Sequence, residues 1–263
     1  MKYLWSEWAA LTNKISNSEN KLLFLDFDGT LAPIKKHPRS VSLHKKTKDV
    51  IGRISRSNFY KVMIISGRPL NDLLPRFGLR NISYIGNHGL EVKGKGLRLP
   101  SKARRARKLE VLIWLLGEKL NEDFSDMPGI LIEDKNYTLS FHYRNIPRRL
   151  MTIFRSRAKE FRKKFEHWPL IWKKGKKIWD IRPGVRWDKG DAVSYLINRY
   201  PGFLPIAIGD DVTDEDMFRA VKHKGIGIRV GRRKKSQAEY YLSSPREVRT
   251  FLEKLSEAGV HSS

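Results

Sequence analysis

Two aspartates one residue apart close an apolar run in "KLLFLDFDGTLAP" (21–33), where Asp26 and Asp28 follow Leu22–Leu25 and lead into Gly29 and Thr30. In extended chain that spacing puts both carboxylates on one face. Gly29 permits a tight turn, and Thr30 offers a hydroxyl and a backbone N–H to an anion. Two further apolar runs end in similar groups: "YKVMIIS" (60–66) leads to Ser66-Gly67-Arg68, and "LPIAIGD" (204–210) to Asp210-Asp211. The segment "RWDKGDAV" places Lys189 at the start of a helical stretch. Carboxylates, a hydroxyl and an ammonium gathered in one crevice suit phosphoryl transfer. One carboxylate can attack phosphorus, and a hard divalent cation can bridge carboxylate and phosphate oxygens. Lysine and a serine hydroxyl can steady the charge, while a second carboxylic acid protonates the leaving alcohol and then deprotonates water. Taken alone, the D-x-D-G reads equally well as a turn that ends a strand.

These groups meet only if parallel strands carry them to one edge of a sheet, where open α/β folds bind their ligands. The pattern supports that. Apolar runs at 22–25, 60–66, 82–87, 204–210 and 225–230 alternate with helical candidates at about 43–57, 69–77, 189–200, 213–222 and 245–257. Continuous apolar strands separated by helices predict an α/β fold, a doubly wound parallel sheet covered on both faces. The alternation breaks between about 97 and 183. A helix at 102–122, two strands in "GILIEDKN" and "YTLSFHYR" joined near Asn136, a basic helix at about 147–166 and a hairpin turning at Gly175 form an α+β module. The expected organisation is a Rossmann-like core, 1–97 and 184–263, with an inserted α+β domain, 98–183.

Composition narrows the classes. With 263 residues, 40% of them hydrophobic, the chain can bury a core. No apolar run approaches the length of a membrane span. The start, "MKYLWSEWAALTNKISNSEN", carries Glu7 and reads as a surface helix, not a leader, so a soluble cytoplasmic protein is expected. The absence of cysteine excludes disulfides and thiolate metal sites, leaving carboxylate, carbonyl or imidazole ligands, of which the oxygen donors would favour a hard cation such as Mg²⁺. The net charge of +25 attracts anions. Residues 98–177 carry 21 basic and 9 acidic side chains, so the excess is dispersed and argues only weakly for nucleic acid. "KARRARK" and "FRKKF" read as solvated helix faces.

In order, "LDFDGTLAPI", "ISGRP", the "DKG" of "RPGVRWDKGDA" and "IGDDVTDEDMF" resemble the four motifs of the haloacid dehalogenase superfamily. Within that frame "GNHGLE" (86–91), "YTLSFHYR" (137–144) and "WDIRPGVRWDKG" (179–190) look like the trehalose-6-phosphate phosphatases. The resemblance implies that Asp26 is the nucleophile that becomes phosphorylated and Asp28 the general acid/base. It also implies that Thr30, Ser66 and Lys189 hold the phosphoryl group, and that Asp26, the carbonyl of Asp28, and Asp210 ligate Mg²⁺. Asp211 and Asp214 would reach metal-bound water, although Asp214 could equally cap the following helix.

The same resemblance makes the inserted domain a cap that chooses the sugar. Gly67 and Arg68, with Asn87, His88, Gly89 and Glu91 at the junction, are candidate substrate contacts. Glu133, Lys135, His142, Arg144 and Asp180 are the candidates from the cap, with Arg182 at its return hinge. His142 and Arg144 alternate with Phe141 and Tyr143, which points both to one sheet face. Glu133, Lys135 and Arg144 could equally be solvated strand faces, and Asp180 stands where relatives more often carry Glu. Trp168, Trp172, Trp179 and Trp187 read as core or interface.

The implied activity is Mg²⁺-dependent hydrolysis of trehalose 6-phosphate, by a monomer fed by a separate trehalose-6-phosphate synthase. Mannosyl-3-phosphoglycerate or glucosylglycerol phosphate as substrate, or transfer to an alcohol instead of water, would use the same core residues. A non-catalytic nucleic-acid-binding protein on this fold is the alternative from another class. The whole set of Asp26, Asp28, Lys189 and Asp210 argues against it.

Overall fold

In chain order, the elements of the computed structural model are β1 (Lys2–Tyr3), α1 (Trp8–Ser16), β2 (Lys21–Leu25), α2 (Lys45–Ile54), β3 (Tyr60–Ile65), α3 (Leu70–Phe77), β4 (Ser83–Gly86) and β5 (Glu91–Lys93). Next come α4 (Ser101–Arg107), α5 (Glu110–Phe124), β6 (Leu131–Asp134), β7 (Leu139–His142), α6 (Met151–Lys164), β8 (Leu170–Gly175) and β9 (Ile178–Pro183). The last are α7 (Lys189–Arg199), β10 (Leu204–Gly209), α8 (Glu215–Val221), β11 (Ile226–Val230), β12 (Tyr240–Leu242) and α9 (Pro245–Ala258). The structure describes residues 1–35, 37, 40–175 and 177–258; Lys176, in the turn expected at Gly175, lies outside them. No helix among the described residues is long and apolar enough to cross a membrane.

The chain divides into two compact units, Met1–Arg98 with Asp188–Ser263, and Leu99–Trp187. The return crossing falls four residues beyond the expected 183. Gly184 N donates to Pro169 O, which keeps that segment with the second unit.

The first unit is built on an eight-stranded sheet of order β1-β12-β11-β10-β2-β3-β4-β5, parallel except for β5, which runs antiparallel to β4. β2 lies in its middle, with Phe24 in register with Ala207 on one side and Met63 on the other. Leu22–Leu25 are fully buried, as a central strand covered by helices on both faces requires. Leu23, Leu25, Ile64, Ile206 and Ile208 pack in one core with Val50 and Ile51 of α2 and Phe251 of α9. Each such side chain contributes about 1.5–3 kcal/mol by leaving water.

The N-terminus departs from the expected surface helix. Lys2 and Tyr3 form an edge strand on Tyr240 and Tyr241, Leu4 is fully buried, and only then does α1 begin, with Leu11 and Ile15 inward. The Tyr3 ring packs at a tilt 5.3 Å from that of Tyr241, and its hydroxyl donates to Glu247, contacts from residues far apart in the chain.

The second unit is a four-stranded antiparallel sheet of order β6-β7-β9-β8. α5 presents Ile113, Leu116, Leu120 and Phe124, and α6 presents Phe154, Ala158 and Phe161, to Leu139, Phe141 and Ile181 of the sheet. The single helix expected at 102–122 is two, because Leu109 leaves helical geometry (φ −88°, ψ 7°) between α4 and α5. The helix expected from about 147 begins as a short 3-10 turn at 148–150, after Pro147. Trp168, Trp172 and Trp179 pack against this unit's core.

Candidate active site

The first unit brings its acidic residues together by turns that only particular residues permit. Asp26 N donates to Ile208 O, extending β2 along β10 to its last residue. Gly29 then turns the chain with φ +83°, and a Cβ there would lie 2.2 Å from Asp210 Oδ2. Glycine is thus required twice over, for its backbone angle and for the close approach. Thr30, fully buried, directs Oγ1 to Asp210 Oδ1 at 3.3 Å.

Lys189 opens α7 just after its N-cap, Asp188, which forms a capping box with Asp191. Its buried ammonium lies 2.7 Å from Asp26 Oδ1 and 2.7 Å from Asp214 Oδ1. Burial works against that charge, but Asp214 and Asp26 outweigh it and hold the ammonium above its ordinary value. Asp214 Oδ2 accepts from Asp210 N at 2.9 Å and Asp211 N at 3.0 Å, pinning the acidic loop beneath itself. Gly209 lets this happen, since a Cβ there would meet Asp214 at 2.5 Å.

Oxygens of Asp26, Asp210 and Asp214 all lie within 4.8 Å of one another. Burial first, then Asp214 and Asp210 against the opposing Lys189, push the Asp26 carboxyl well above its ordinary range. Burial first, then Asp214 and Asp211, push Asp210 up to about 7. Three crowded carboxylates beside one ammonium leave an excess of negative charge that a hard divalent cation can neutralise through oxygen ligands. The donor set therefore fits Mg²⁺. Asp211 lies outside those three: it is exposed and forms a capping box with Asp214 at the 3-10 turn Val212–Asp214. Asp214, expected near the metal or as a cap, does both: one oxygen accepts from Asp211 N in the capping box, and the carboxylate belongs to the cluster.

Asp28 is not among those three carboxylates. Arg68 takes both its oxygens and also reaches Asp72 on α3. Ser66 is buried and accepts at Oγ from Arg68 N at 3.1 Å, which bends the Ser66-Gly67-Arg68 turn after β3. His88 N donates to Ser66 O, and Asn87 N to Arg68 O. Glu91 Oε2 accepts from Leu70 N at 3.0 Å and Asn87 Nδ2 at 2.7 Å. The imidazole of His88 fills the space a Cβ on Gly67 would need, 2.6 Å away. Asn87 and His88 adopt left-handed backbone angles, and Gly89 follows at φ +105°. Asn87 and Glu91, expected as substrate contacts, also buttress the 66–70 turn, through Asn87 N on Arg68 O and Glu91 Oε2 on Leu70 N.

In the second unit Glu133, Lys135, His142 and Asp180 share one sheet face. Register pairs Glu133 with Ser140 and Ser140 with Asp180, so the three lie in a row. Lys135 Nζ donates to Ser140 Oγ at 2.7 Å, His142 Nε2 lies 3.3 Å from Glu133 Oε2, and Arg182 Nε donates to Asp180 Oδ2 at 2.6 Å. The His142 contact, together with Lys135, outweighs burial and holds Glu133 below its ordinary carboxylate range. Arg144 does not join by alternation, because β7 ends at His142 and Arg144 falls in the turn beyond it.

Ser140 was missed, although the period-two rule that placed His142 also places Ser140 on that face. Arg229 was missed too. From β11 it donates to the carbonyls of Asp210 and Asp211 and to Glu215, holding the acidic loop from outside. An arginine inside "GIGIRV" carries no motif that would reveal this.

Residues 24–246 match the family model described as trehalose-phosphatase. The chain is 31% identical over 261 residues to probable trehalose-phosphate phosphatase E of Arabidopsis thaliana, covering 92% of this chain and 72% of that protein. A solved structure of a trehalose-6-phosphate phosphatase related protein superposes with a TM-score of 0.77 at 26% identity, covering 92% of this chain and 100% of that one. The fold extends to a haloacid dehalogenase-like hydrolase from Bacteroides thetaiotaomicron, at a TM-score of 0.61 and 15% identity over 90% of this chain and 99% of the other. With the family model spanning most of its length, the chain belongs to the trehalose-phosphatase family, on a haloacid dehalogenase-type fold.

Proposed function

We propose that this chain is a phosphatase that hydrolyses trehalose 6-phosphate to trehalose and inorganic phosphate, with Asp26 as nucleophile and Mg²⁺ as cofactor. The observation that carries the reading is the buried contact of Lys189 with Asp26 and Asp214, two members of a three-carboxylate cluster, in a chain of this family. Asp26, Asp210 and Asp214 are the side chains that would hold the cation, which supplies charge neutralisation for an incoming dianion.

Asp26 attacks phosphorus while the ester oxygen leaves as the sugar hydroxyl, taking its proton from Asp28. A water then gives a proton back to Asp28 and attacks the aspartyl phosphate, which releases phosphate and restores Asp26. Lys189, Thr30 and Ser66 steady the phosphoryl oxygens. Arg68, which holds both oxygens of Asp28, positions that carboxyl.

In this reading the first unit is the catalytic core and the second the cap, whose Glu133, Lys135, Ser140, His142, Asp180 and Arg182 supply the donors and acceptors a disaccharide needs. The substrate arrives from a separate trehalose-6-phosphate synthase, and the enzyme works as a cytoplasmic monomer.

Phosphate release from trehalose 6-phosphate, glucose 6-phosphate, glucosylglycerol phosphate and mannosyl-3-phosphoglycerate tests the assignment. Trehalose 6-phosphate should be turned over far faster than the rest. Comparable rates on glucose 6-phosphate would overturn the substrate, and no release from any would overturn the reaction.

A further inference from the structure

A cavity of about 460 Å³ lies in the second unit between α6 and the β8–β9 hairpin. Three aromatic rings form its floor. Phe154 and Tyr143 stack at 4.9 Å, and Trp179 meets them at 6.4 and 6.3 Å. Phe154 and Tyr143 are buried, while Trp179 is half-exposed.

Five cations surround that floor. Arg155, Lys159 and Arg162 project from α6 at positions i, i+4 and i+7, which is one face of the helix, and Lys174 and Lys177 flank the hairpin turn opposite. All five are exposed, none has a carboxylate partner among the described residues, and no acidic residue lines the cavity. The surrounding sequence is as one-sided: residues 148–177 contain twelve lysines and arginines against two glutamates. A solvated helix face needs neither a concave shape nor cations contributed by a second element facing the first.

The cavity is separate from the polar row of the same sheet. Trp179 pairs with Phe141 and lies on the helix side, whereas Asp180 pairs with Ser140 on the opposite side. Glu133, His142 and Asp180 thus face away from it.

We propose that this cavity is a binding site for a nucleoside polyphosphate. Trp179, the half-exposed ring over buried Phe154 and Tyr143, offers a base a surface to stack on, and lysines and arginines from two sides offer its phosphates charge-assisted hydrogen bonds. The volume falls in the range of small-molecule sites and exceeds what a bare phosphate fills. A disaccharide phosphate brings one charged group and no planar ring, so it matches neither the number of cations nor the floor.

Isothermal titration in chelator, which keeps metal out of the other unit, tests this with ATP, inorganic triphosphate and adenosine as probes. ATP should bind one-to-one, with triphosphate and adenosine each at least about tenfold weaker. Lys159→Glu with Lys174→Glu should weaken ATP by about tenfold or more while phosphate release from trehalose 6-phosphate is unchanged. Arg155→Gln with Arg162→Gln provides an independent pair on exposed positions, and quenching of Trp fluorescence by ATP should disappear in both. Equal affinity for ATP and triphosphate, or undiminished ATP binding in both double variants, would overturn the site. So would binding of a single-stranded oligonucleotide with no saturable binding of ATP.

Discussion

Arg68 grips the Asp28 carboxylate with two prongs, Nε to Oδ2 and Nη2 to Oδ1, each at 2.6 Å. The same guanidinium reaches Asp72 at 2.5 Å, so the grip is anchored on α3. A lysine cannot form this fork. Arg68→Lys should therefore lower kcat by about 10- to 100-fold through misplacement of Asp28, with the thermal midpoint little changed. Steady-state kinetics beside a melting curve checks this, and wild-type turnover in Arg68→Ala would show that Asp28 needs no such guide.

Asp26→Asn should abolish turnover and spare the fold. The amide cannot attack phosphorus and is a poor cation ligand, so a loss of roughly three orders of magnitude or more is expected. Because Asp26 is buried against Asp214 and Asp210, removing its charge also relieves repulsion. The metal-free variant should melt no lower than the parent by much. Retention of more than a few per cent of activity would remove Asp26 as the nucleophile.

Lys189→Met leaves Asp26 and Asp214 buried without their shared cation. Breaking a buried pair from one side typically costs about 3–5 kcal/mol, since the remaining charges stay desolvated. Urea unfolding should show the midpoint displaced by a loss of that order, and divalent cation should recover part of it. An unchanged midpoint would contradict the buried contact.

Removal of divalent metal by a chelator should silence the enzyme, and Mg²⁺ should restore it, in a pH-dependent way. Asp210 is raised from 3.8 to about 7, so between those values the folded protein keeps a proton that the unfolded chain has lost. Stability of the metal-free protein is then fully present below the lower value, declines as pH rises towards the upper one, and levels off beyond it. Mg²⁺ replaces that proton, so the gain in thermal midpoint from a fixed Mg²⁺ concentration should be larger at about pH 8 than at about pH 6. Equal gains at both would exclude Asp210 as a ligand.

The strands that carry the site were legible because they are buried on both faces and read as unbroken apolar runs, as at Leu22–Leu25 and Leu204–Gly209. Asp26, Lys189 and Asp210 were legible because four motifs in order leave few other readings. What escaped depended on partners remote in the chain. Lys2–Tyr3 is a strand only because Tyr240–Leu242 lies beside it, and neither segment is long enough to announce itself. The part played by Glu91 shows only where its carboxylate meets Leu70 N, and Arg229 matters through backbone carbonyls that have no sequence signature. Arg144 was misplaced by extending a strand's alternation two residues past its end.

The first unit is assembled from two stretches of chain, with Leu99–Trp187 between them. That arrangement has a consequence for the order of events on the ribosome. β2, which leads into Asp26, is made well before one of its two neighbours, β10, which begins only at Leu204. Lys189 and Asp214, the groups around Asp26, are also made late. The inserted unit, continuous in sequence, can close its own core while β2 still waits with one edge bare. A growing chain thus carries Asp26 through the synthesis of the whole inserted unit without the lysine beside it, and the cluster comes into being only after Asp214 has been made.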